Sequence, residues 1–166
     1  MEQHHRATRF FHDLIVGEEF VSRWYVANED ELIQFALEYD QQYFHTDVVL
    51  AKGSPFGGLI ASGTYTFAIW NKLNLEVNGN IAWIAGMGFE DFRFPNPLRP
   101  GVKFRSKSRL IDKRLSRKDP SRGIVRHEYQ VISESDEIFF VCVCPSLVHV
   151  NEGEYESVGE DDFSFS

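Results

Sequence analysis

The chain has 166 residues, of which 43% are hydrophobic and 15 are Phe, a composition typical of one packed globular protein and not of a disordered one. The net charge of -8 is unevenly spread, because residues 151–166 hold six of the 25 acidic side chains and none of the 17 basic ones. The rest of the chain is therefore close to neutral, and its charge gives no reason to expect nucleic-acid binding.

Several features place the protein in a general class. The first ten residues, "MEQHHRATRF", lack the apolar core of a signal peptide, and no apolar run approaches the roughly 18 residues that a membrane helix needs. Cys142 and Cys144 would share one face of a strand, where they are badly placed to bond to each other. We therefore expect a cytoplasmic protein with reduced cysteines and no membrane partner. One domain is expected over residues 1–150 with a frayed N-terminus, followed by an acidic, disordered tail over residues 151–166.

The first predicted helix has a clear start. Asn28 followed by Glu31 makes a capping box, in which each residue satisfies a backbone amide of the first turn. Apolar residues then recur at helical spacing as far as Tyr39, where the helix is expected to end.

Two more helices are expected before residue 76. The first is short, over residues 47–52, with Thr46 as its N-cap and Gly53 closing it. The second covers residues 59–75, "LIASGTYTFAIWNKLNL", which are apolar nearly all round and carry no charge before Lys72. A helix of this kind cannot expose any broad side to water, so we expect it to be the buried central helix.

The remaining segments read as strands. One lies near residues 18–26, and four follow the central helix, over residues 81–94, 102–115, 123–134 and 138–150. Long hairpin strands after one buried helix predict an α+β fold, in which an antiparallel β-sheet wraps around a long central α-helix.

A polar segment follows the first helix. Residues 39–47, "YDQQYFHTD", contain an acid, Asp40, and a base, His45, with four residues between them. The two can be a catalytic pair, since a carboxylate and an imidazole are the usual groups of acid–base catalysis. They can equally be a turn that happens to contain both, because Asp is common in turns and caps. Asp47 is predicted to be a helix cap.

Three motifs in this order resemble the MaoC-like hydratases, the (R)-specific enoyl-CoA hydratases of the hot-dog fold. The first motif is "DQQYFHTD" at residues 40–47, in which Gln42 and Tyr43 replace the Asn-Pro of the family pattern. The second is "FGGLIASG" at residues 56–63, which matches the family's "I-A-H-G" at the start of the central helix, with Ser in place of a frequent His. The third is "FRFPNPLRPG" at residues 92–101, which matches the family's strand end and "P-x-x-x-G".

The resemblance implies a reaction and the residues that carry it out. The reaction is the reversible hydration of a 2-enoyl-CoA to an (R)-3-hydroxyacyl-CoA. By position, Asp40 and His45 are the catalytic pair that holds the attacking water. The N–H of Gly63 is expected to bind the thioester oxygen, because a glycine lets a ligand approach the backbone closely. The other residues expected to bind substrate are Ser62, Gly58, Phe44 and Phe56.

The resemblance also implies the partners. The substrate is an acyl-CoA thioester, and no cofactor or metal is expected, since coenzyme A enters only as part of the substrate. A homodimer, or a higher oligomer built from dimers, is expected. Four basic residues alternate along one strand and could meet the phosphates of coenzyme A, although a solvated strand face is the simpler interpretation: Lys103, Arg105, Lys107 and Arg109.

Two other functions remain open. A hot-dog thioesterase shares the fold but hydrolyses the thioester, often with an acidic residue on the central helix. Residues 59–75 contain no acidic residue, and Glu76 comes only after them, so the sequence favours hydration. The second alternative is a domain that binds acyl thioesters without catalysis, and the intact Asp40 and His45 argue against it.

Overall fold

Seven strands form one antiparallel sheet in a computed structural model that describes residues 7–151. Across the sheet the order is β1-β5-β6-β7-β3, while β2 also pairs with β5 and β4 also pairs with β7. The strands are β1 (Glu19–Val21), β2 (Tyr25–Val26), β3 (Trp83–Gly86), β4 (Glu90–Arg93), β5 (Lys103–Leu115), β6 (Arg122–Ser133) and β7 (Ile138–His149).

Four α-helices accompany the sheet in the described part of the chain: α1 (Glu29–Tyr39), α2 (Tyr43–Thr46), α3 (Val48–Ala51) and α4 (Gly63–Asn78). The longest, α4, packs against β5, β6 and β7. Its side chains Tyr65, Trp70 and Leu73 join sheet residues such as Phe104 and Phe140 in the largest buried cluster. The predicted α+β fold, with an antiparallel sheet wrapped around a long central helix, is confirmed.

Helix α1 has the predicted N-cap and the predicted end, but only the Asn28 half of the expected capping box is present. The Asn28 side chain accepts a hydrogen bond from the Glu31 amide at 2.8 Å, which satisfies one of the free amides of the first turn. The helix ends at Tyr39. It is tied to the core through Glu31, which accepts hydrogen bonds from the hydroxyls of Tyr25 and Tyr65 at 2.6 and 2.9 Å.

The region after α1 differs from the prediction. The helix expected over residues 47–52 is reduced to α3, and its N-cap is Asp47, not Thr46. The Asp47 carboxylate accepts from the amides of Val49 and Leu50, so the prediction that Asp47 is a cap is confirmed. Thr46 belongs instead to α2, a single turn that was not predicted, since four residues are too few to show a helical period.

The start of α4 was also predicted wrongly. Residues 59–61 are not helical, because their amides bond to distant carbonyls: Ile60 N–H to Phe44 at 3.1 Å and Ala61 N–H to Leu98 at 2.7 Å. Ser62 is the N-cap, and its hydroxyl accepts from the Thr64 amide at 3.1 Å. The helix therefore begins at Gly63, and the glycine stands at its first position.

One side of α4 is exposed, so the expectation that no broad side faces water is wrong. The exposed side chains repeat at helical spacing and so lie on one face: Thr64, Ala68, Asn71, Lys72, Leu75 and Glu76. Three residues of this face, Thr64, Ala68 and Leu75, are small or aliphatic, and for this reason the sequence predicted a helix that is apolar on all sides.

The long strand expected over residues 81–94 is divided into β3 and β4. Gly88 lies between them at φ +143°, a conformation that residues with a side chain rarely adopt. Both strands pair with β7 through irregular registers, β3 along residues 146–148 and β4 along residues 141–143.

The N-terminal segment is packed from residue 7 onward, so the predicted fraying does not extend to it. Ala7, Phe10, Phe11 and Leu14 are all buried. Residues 1–6 and the predicted tail over 152–166 lie outside the described residues.

Gly123 on β6 accommodates the ring of Phe11. A Cβ at position 123 would lie 2.0 Å from Cδ2 of that ring, far inside van der Waals contact. We expect Gly123→Ala to lower the free energy of unfolding by about 1–3 kcal/mol, measured by urea denaturation. Gly86→Ala is the control, because its Cβ would meet only the Cys144 sulfur at an ordinary 3.9 Å. Equal stability of the two variants would contradict this packing.

Candidate active site

The end of α1 and the single turn of α2 bring Asp40 and His45 together. Asp40 follows α1 directly, and its N–H still bonds to the Ala36 carbonyl at 2.9 Å. The chain then turns within two residues, with the Gln42 amide bonded to the Asp40 carbonyl at 2.8 Å. Helix α2 begins at Tyr43 and carries His45, whose Nε2 lies 3.5 Å from Oδ2 of Asp40. This distance is longer than an ordinary hydrogen bond between nitrogen and oxygen.

His45 is buried, with 5% of its surface exposed. Its Nδ1 lies 2.9 Å from the carbonyl oxygen of Ile60. Because a carbonyl only accepts, this contact assigns the proton to Nδ1, and in the neutral ring Nε2 is then an acceptor. The nitrogen that faces Asp40 is therefore the one with a free lone pair.

Asp40 receives two hydrogen bonds. The Ser62 hydroxyl donates to Oδ2 at 2.8 Å, and the Gln42 side-chain amide donates to Oδ1 at 3.0 Å. Desolvation by burial acts to raise the pKa of Asp40, but these two bonds, together with the positive charge that His45 carries when it is protonated, outweigh it and lower the pKa below its ordinary value. Asp40 is therefore ionised at neutral pH.

A cavity of about 330 Å³ lies beside this pair, and His45 forms part of its wall. Asp40 does not line the cavity itself and lies behind it, 3.5 Å from His45 Nε2. The wall is mainly apolar, with the rings of Phe44 and Phe56 in contact at 5.2 Å between centroids. The other lining residues come from the start of α4, the 94–98 loop and β7, and include Gly63, Thr66, Phe94, Asn96, Leu98 and Phe139.

The first turn of α4 lies at the cavity wall. The first four amides of a helix have no partner within the helix, and its dipole favours negative charge there. Gly63 is the first residue of α4 and lines the cavity. The ring of Phe94 lies so close that a Cβ at position 63 would be 2.9 Å from Cε2. A side chain at position 63 would therefore have to displace the Phe94 ring.

Comparison with known proteins identifies the family. Residues 13–131, most of the chain, match the family model described as the MaoC like domain. The chain belongs to the MaoC-like family. The predicted resemblance is thus confirmed.

Individual MaoC-like and related proteins show the extent of the similarity. The MaoC-like dehydratase from Rhodospirillum rubrum is 32% identical, with a TM-score of 0.82 over 87% of this chain and 99% of that one. YdeM of Bacillus subtilis, an uncharacterized protein, is 31% identical over 64% of this chain and 77% of its own length. The R-hydratase PhaJ1 from Pseudomonas aeruginosa, at 19% identity, shares the fold with a TM-score of 0.65 over 86% of each chain.

These relatives confirm the hot-dog fold. Membership of the MaoC-like family also supports a hydratase or dehydratase as the class of enzyme.

The residues that the sequence assigned to the site fall into two groups. Asp40 and His45 face each other, and Gly63, Phe44 and Phe56 line the cavity with His45. The remaining two lie elsewhere. Ser62 is 1% exposed, is absent from the cavity wall and bonds to the Asp40 carboxylate, while Gly58 lies beside the Arg99 side chain, outside the wall.

Three contributions to the site were not predicted from the sequence. Gln42 was noted only as a departure from the family pattern, yet its side chain bonds to Asp40. The carbonyl of Ile60 holds His45, and the Phe94 ring covers Gly63. A polar side chain two residues after the Asp could have indicated the first, whereas the other two depend on contacts across the fold.

The basic strand face does not line the cavity and is partly neutralised by acidic neighbours. Lys103 pairs with Glu134 at 2.7 Å and Lys107 with Glu19 at 3.2 Å, and the Arg105 guanidinium lies over Trp24.

Within residues 7–151, no three His, Cys, Asp or Glu side chains are grouped to hold a metal ion. None of the described helices is long and apolar enough to cross a membrane.

Proposed function

We propose that the protein catalyses the reversible hydration of a 2-enoyl-CoA to an (R)-3-hydroxyacyl-CoA, using a water held by Asp40 and His45. The observation that carries this proposal is the facing pair itself, with 3.5 Å between His45 Nε2 and Asp40 Oδ2 beside an apolar cavity. The MaoC-like dehydratase from Rhodospirillum rubrum supports the class of reaction. No metal or cofactor takes part, and coenzyme A enters only with the substrate.

The pair suits a water molecule with two protons to donate. Ionised Asp40 is an acceptor, and Nε2 of neutral His45 is an acceptor because Nδ1 donates to Ile60. One of the two bases takes a proton as the water oxygen bonds to C3 of the enoyl group. The electrons of the double bond move toward the thioester oxygen, and the proton is then returned to C2. Because both bases lie on one side of the substrate, hydroxyl and proton add to the same face.

The thioester oxygen gains negative charge during this addition. The Gly63 amide, at the start of α4 and in the cavity wall, is the proposed donor to it. A fixed backbone donor of this kind stabilises the enolate more than the ground state, since its dipole is already oriented. Phe44 and Phe56 would then enclose the reacting carbons and exclude bulk water.

The thioesterase alternative has less support. The acidic residue closest to the predicted central helix, Glu76, lies in the last turn of α4 and pairs with Arg23 at 3.1 Å. It does not line the cavity. The acyl-binding alternative without catalysis has no observation in its favour.

An assay with crotonyl-CoA distinguishes the three functions. We expect enoyl absorbance to fall while no free thiol appears. Thiol release without loss of the double bond would indicate the thioesterase. Alternatively, the protein binds crotonyl-CoA and longer or branched enoyl-CoAs while neither signal changes. That result would indicate a domain that binds acyl thioesters without catalysis.

The bond from Ser62 predicts a shift in the pH profile. Asp40 must be ionised to accept a proton, so activity is lost as pH falls through its pKa. Ser62→Ala removes a bond that lowers this pKa, so the pKa rises and the acidic limb of kcat/KM moves to higher pH. Ser62→Thr is the control, because it keeps a hydroxyl at the same cap and should keep the limb near its wild-type position. An unmoved limb in Ser62→Ala would contradict this role.

We also propose a homodimer formed along the outer edge of the sheet. Strands β3 and β4 lie on the free side of β7, and all four residues of β4 are exposed. An exposed edge strand offers unpaired backbone groups to a second copy, and Phe89 and Phe92 add apolar surface beside it. Light scattering at micromolar concentration should give twice the mass of the chain. A monomer would contradict the proposal.

A further inference from the structure

The turn between β5 and β6 borders a cleft of about 440 Å³, here called the hairpin cleft. Four basic and two aliphatic side chains make up most of its wall: Arg114, Arg117, Lys118, Arg122, Ile124 and Leu147. The hairpin cleft shares no lining residue with the cavity beside His45, so it is separate from the proposed active site.

Ile124 and Leu147 form an apolar floor on the outer face of the sheet. The two residues are directly opposite each other in β6 and β7, and both are half-buried. The next residue of each strand, Val125 or Val148, is fully buried in the core. Because successive side chains of a strand point to opposite faces, the floor faces away from the core and is accessible to another segment.

The positive charge of the hairpin cleft is largely uncompensated. Asp119 is the one acidic side chain in the described wall, and its carboxylate already pairs with Arg122 at 2.9 Å. Arg117 and Lys118 are exposed and form no ion pair with any residue between 7 and 151. The cleft therefore favours an anionic partner that also carries apolar side chains for the floor.

The described part of the chain ends beside this cleft. His149, the last residue of β7, pairs with Arg122 of β6, and the Val150 N–H bonds to the Ser121 carbonyl at 3.1 Å. Residues 152–166 therefore start next to the turn that borders the hairpin cleft. An extended chain advances about 3.3 Å per residue, so a few of these residues are enough to reach across it.

Residues 152–166 carry the side chains that the hairpin cleft favours. They include six acidic residues and no basic one, and the apolar residues Tyr155, Val158, Phe163 and Phe165 lie among the acids. The chain itself holds this segment beside the cleft, so its effective concentration there is on the order of millimolar. Contacts that are individually weak are sufficient at such a concentration.

We infer that residues 152–166 bind to the hairpin cleft of the same chain. Their acidic side chains pair with Arg114, Arg117 and Lys118, and their apolar side chains cover Ile124 and Leu147. The bound segment neutralises this part of the surface and excludes other anions from it. The inference is independent of the proposed function, because the cleft and the catalytic cavity have no residue in common.

Carbodiimide cross-linking of the 166-residue chain, read out by mass spectrometry of its peptides, tests the inference. The reagent joins a lysine amine directly to a nearby carboxylate, and Lys118 is the one lysine in the described wall of the cleft. We expect Lys118 to be linked to acids of residues 152–166 at low salt. The yield should fall about threefold or more in 1 M salt, where the Debye length is about 3 Å. Mixing isotope-labelled and unlabelled chains before the reaction shows whether each link lies within one chain.

Two double variants separate binding from mere proximity. Arg114→Gln with Arg117→Gln removes two charges of the cleft but keeps Lys118 as the reporter, so the yield should fall about threefold or more. Lys103→Gln with Lys107→Gln is the matched control. It removes the same charge from the basic strand face, where both lysines already pair with acidic neighbours, and should keep the wild-type yield.

Three results would overturn the inference. Equal yields in the two double variants would show that Lys118 is linked only because residue 152 starts nearby. No link at Lys118 would leave the hairpin cleft to a separate anionic partner. Links found only between labelled and unlabelled chains would assign residues 152–166 to the cleft of a second copy.

Discussion

Asp40→Asn and His45→Gln should each lower kcat for crotonyl-CoA hydration by about 10²–10⁴-fold. Asn cannot take a proton from water, and Gln lacks the acceptor nitrogen that His45 turns toward Asp40 at 3.5 Å. Because the two side chains hold the same water, their losses should not add. The double variant should be about as slow as the slower single variant. Initial rates from enoyl absorbance measure all three.

Two nearby substitutions serve as controls for this pair. Asp47→Asn changes an acid of the same motif that only caps α3, and Asn is an equally good cap, so kcat should stay within about twofold of wild type. His12→Gln changes an exposed imidazole that is far along the chain from the site, so its kcat should also stay within about twofold of wild type. Near-normal turnover in Asp40→Asn or His45→Gln would show that the pair is structural and not catalytic.

Gly63→Pro should lower kcat by about 10²–10³-fold relative to Gly63→Ala. Relative to alanine, proline replaces the backbone N–H proposed to hold the thioester oxygen with a ring carbon. It is tolerated at the first position of a helix, which Gly63 occupies in α4. Ser62, the preceding residue, already has φ -60° and ψ 143°, in the region that a residue before proline favours.

Gly63→Ala is the matched control for this experiment. Both variants carry a Cβ that would lie 2.9 Å from the Phe94 ring, so both must displace that ring. Any further loss in the proline variant therefore reports the replacement of the N–H by the proline ring, once circular dichroism shows equal helix content. Equal kcat values in the two variants would remove Gly63 from the proposed oxyanion site.

Local signals predicted much of the fold. The cap at Asn28 and the period of the following residues fixed α1 to its observed end, because both depend on contacts within a few residues. The start of α4 was missed because residues 59–61 continue the apolar pattern, while their amides bond to the distant carbonyls of Phe44 and Leu98. Ser62 was available as a cap signal, since Ser is a strong N-cap.

The sequence predicted which residues form the site, but not the hydrogen bonds that orient them. The order of the motifs predicted that Asp40, His45 and Gly63 belong to one site, and these three residues lie at or beside one cavity. The bonds that orient the pair come from Ser62 and from the carbonyl of Ile60, which are 22 and 15 residues away along the chain. Such bonds arise from packing, and no local pattern encodes them.

Hydration of crotonyl-CoA in deuterated water, followed by NMR and chiral analysis of the product, tests the central claim most directly. We predict (R)-3-hydroxybutyryl-CoA with a single solvent deuterium at C2, on the same face as the new hydroxyl. That pattern follows from one water held on one side of the substrate by Asp40 and His45. An (S)-product, a deuterium on the opposite face, or free coenzyme A without a hydroxyacyl product would contradict it.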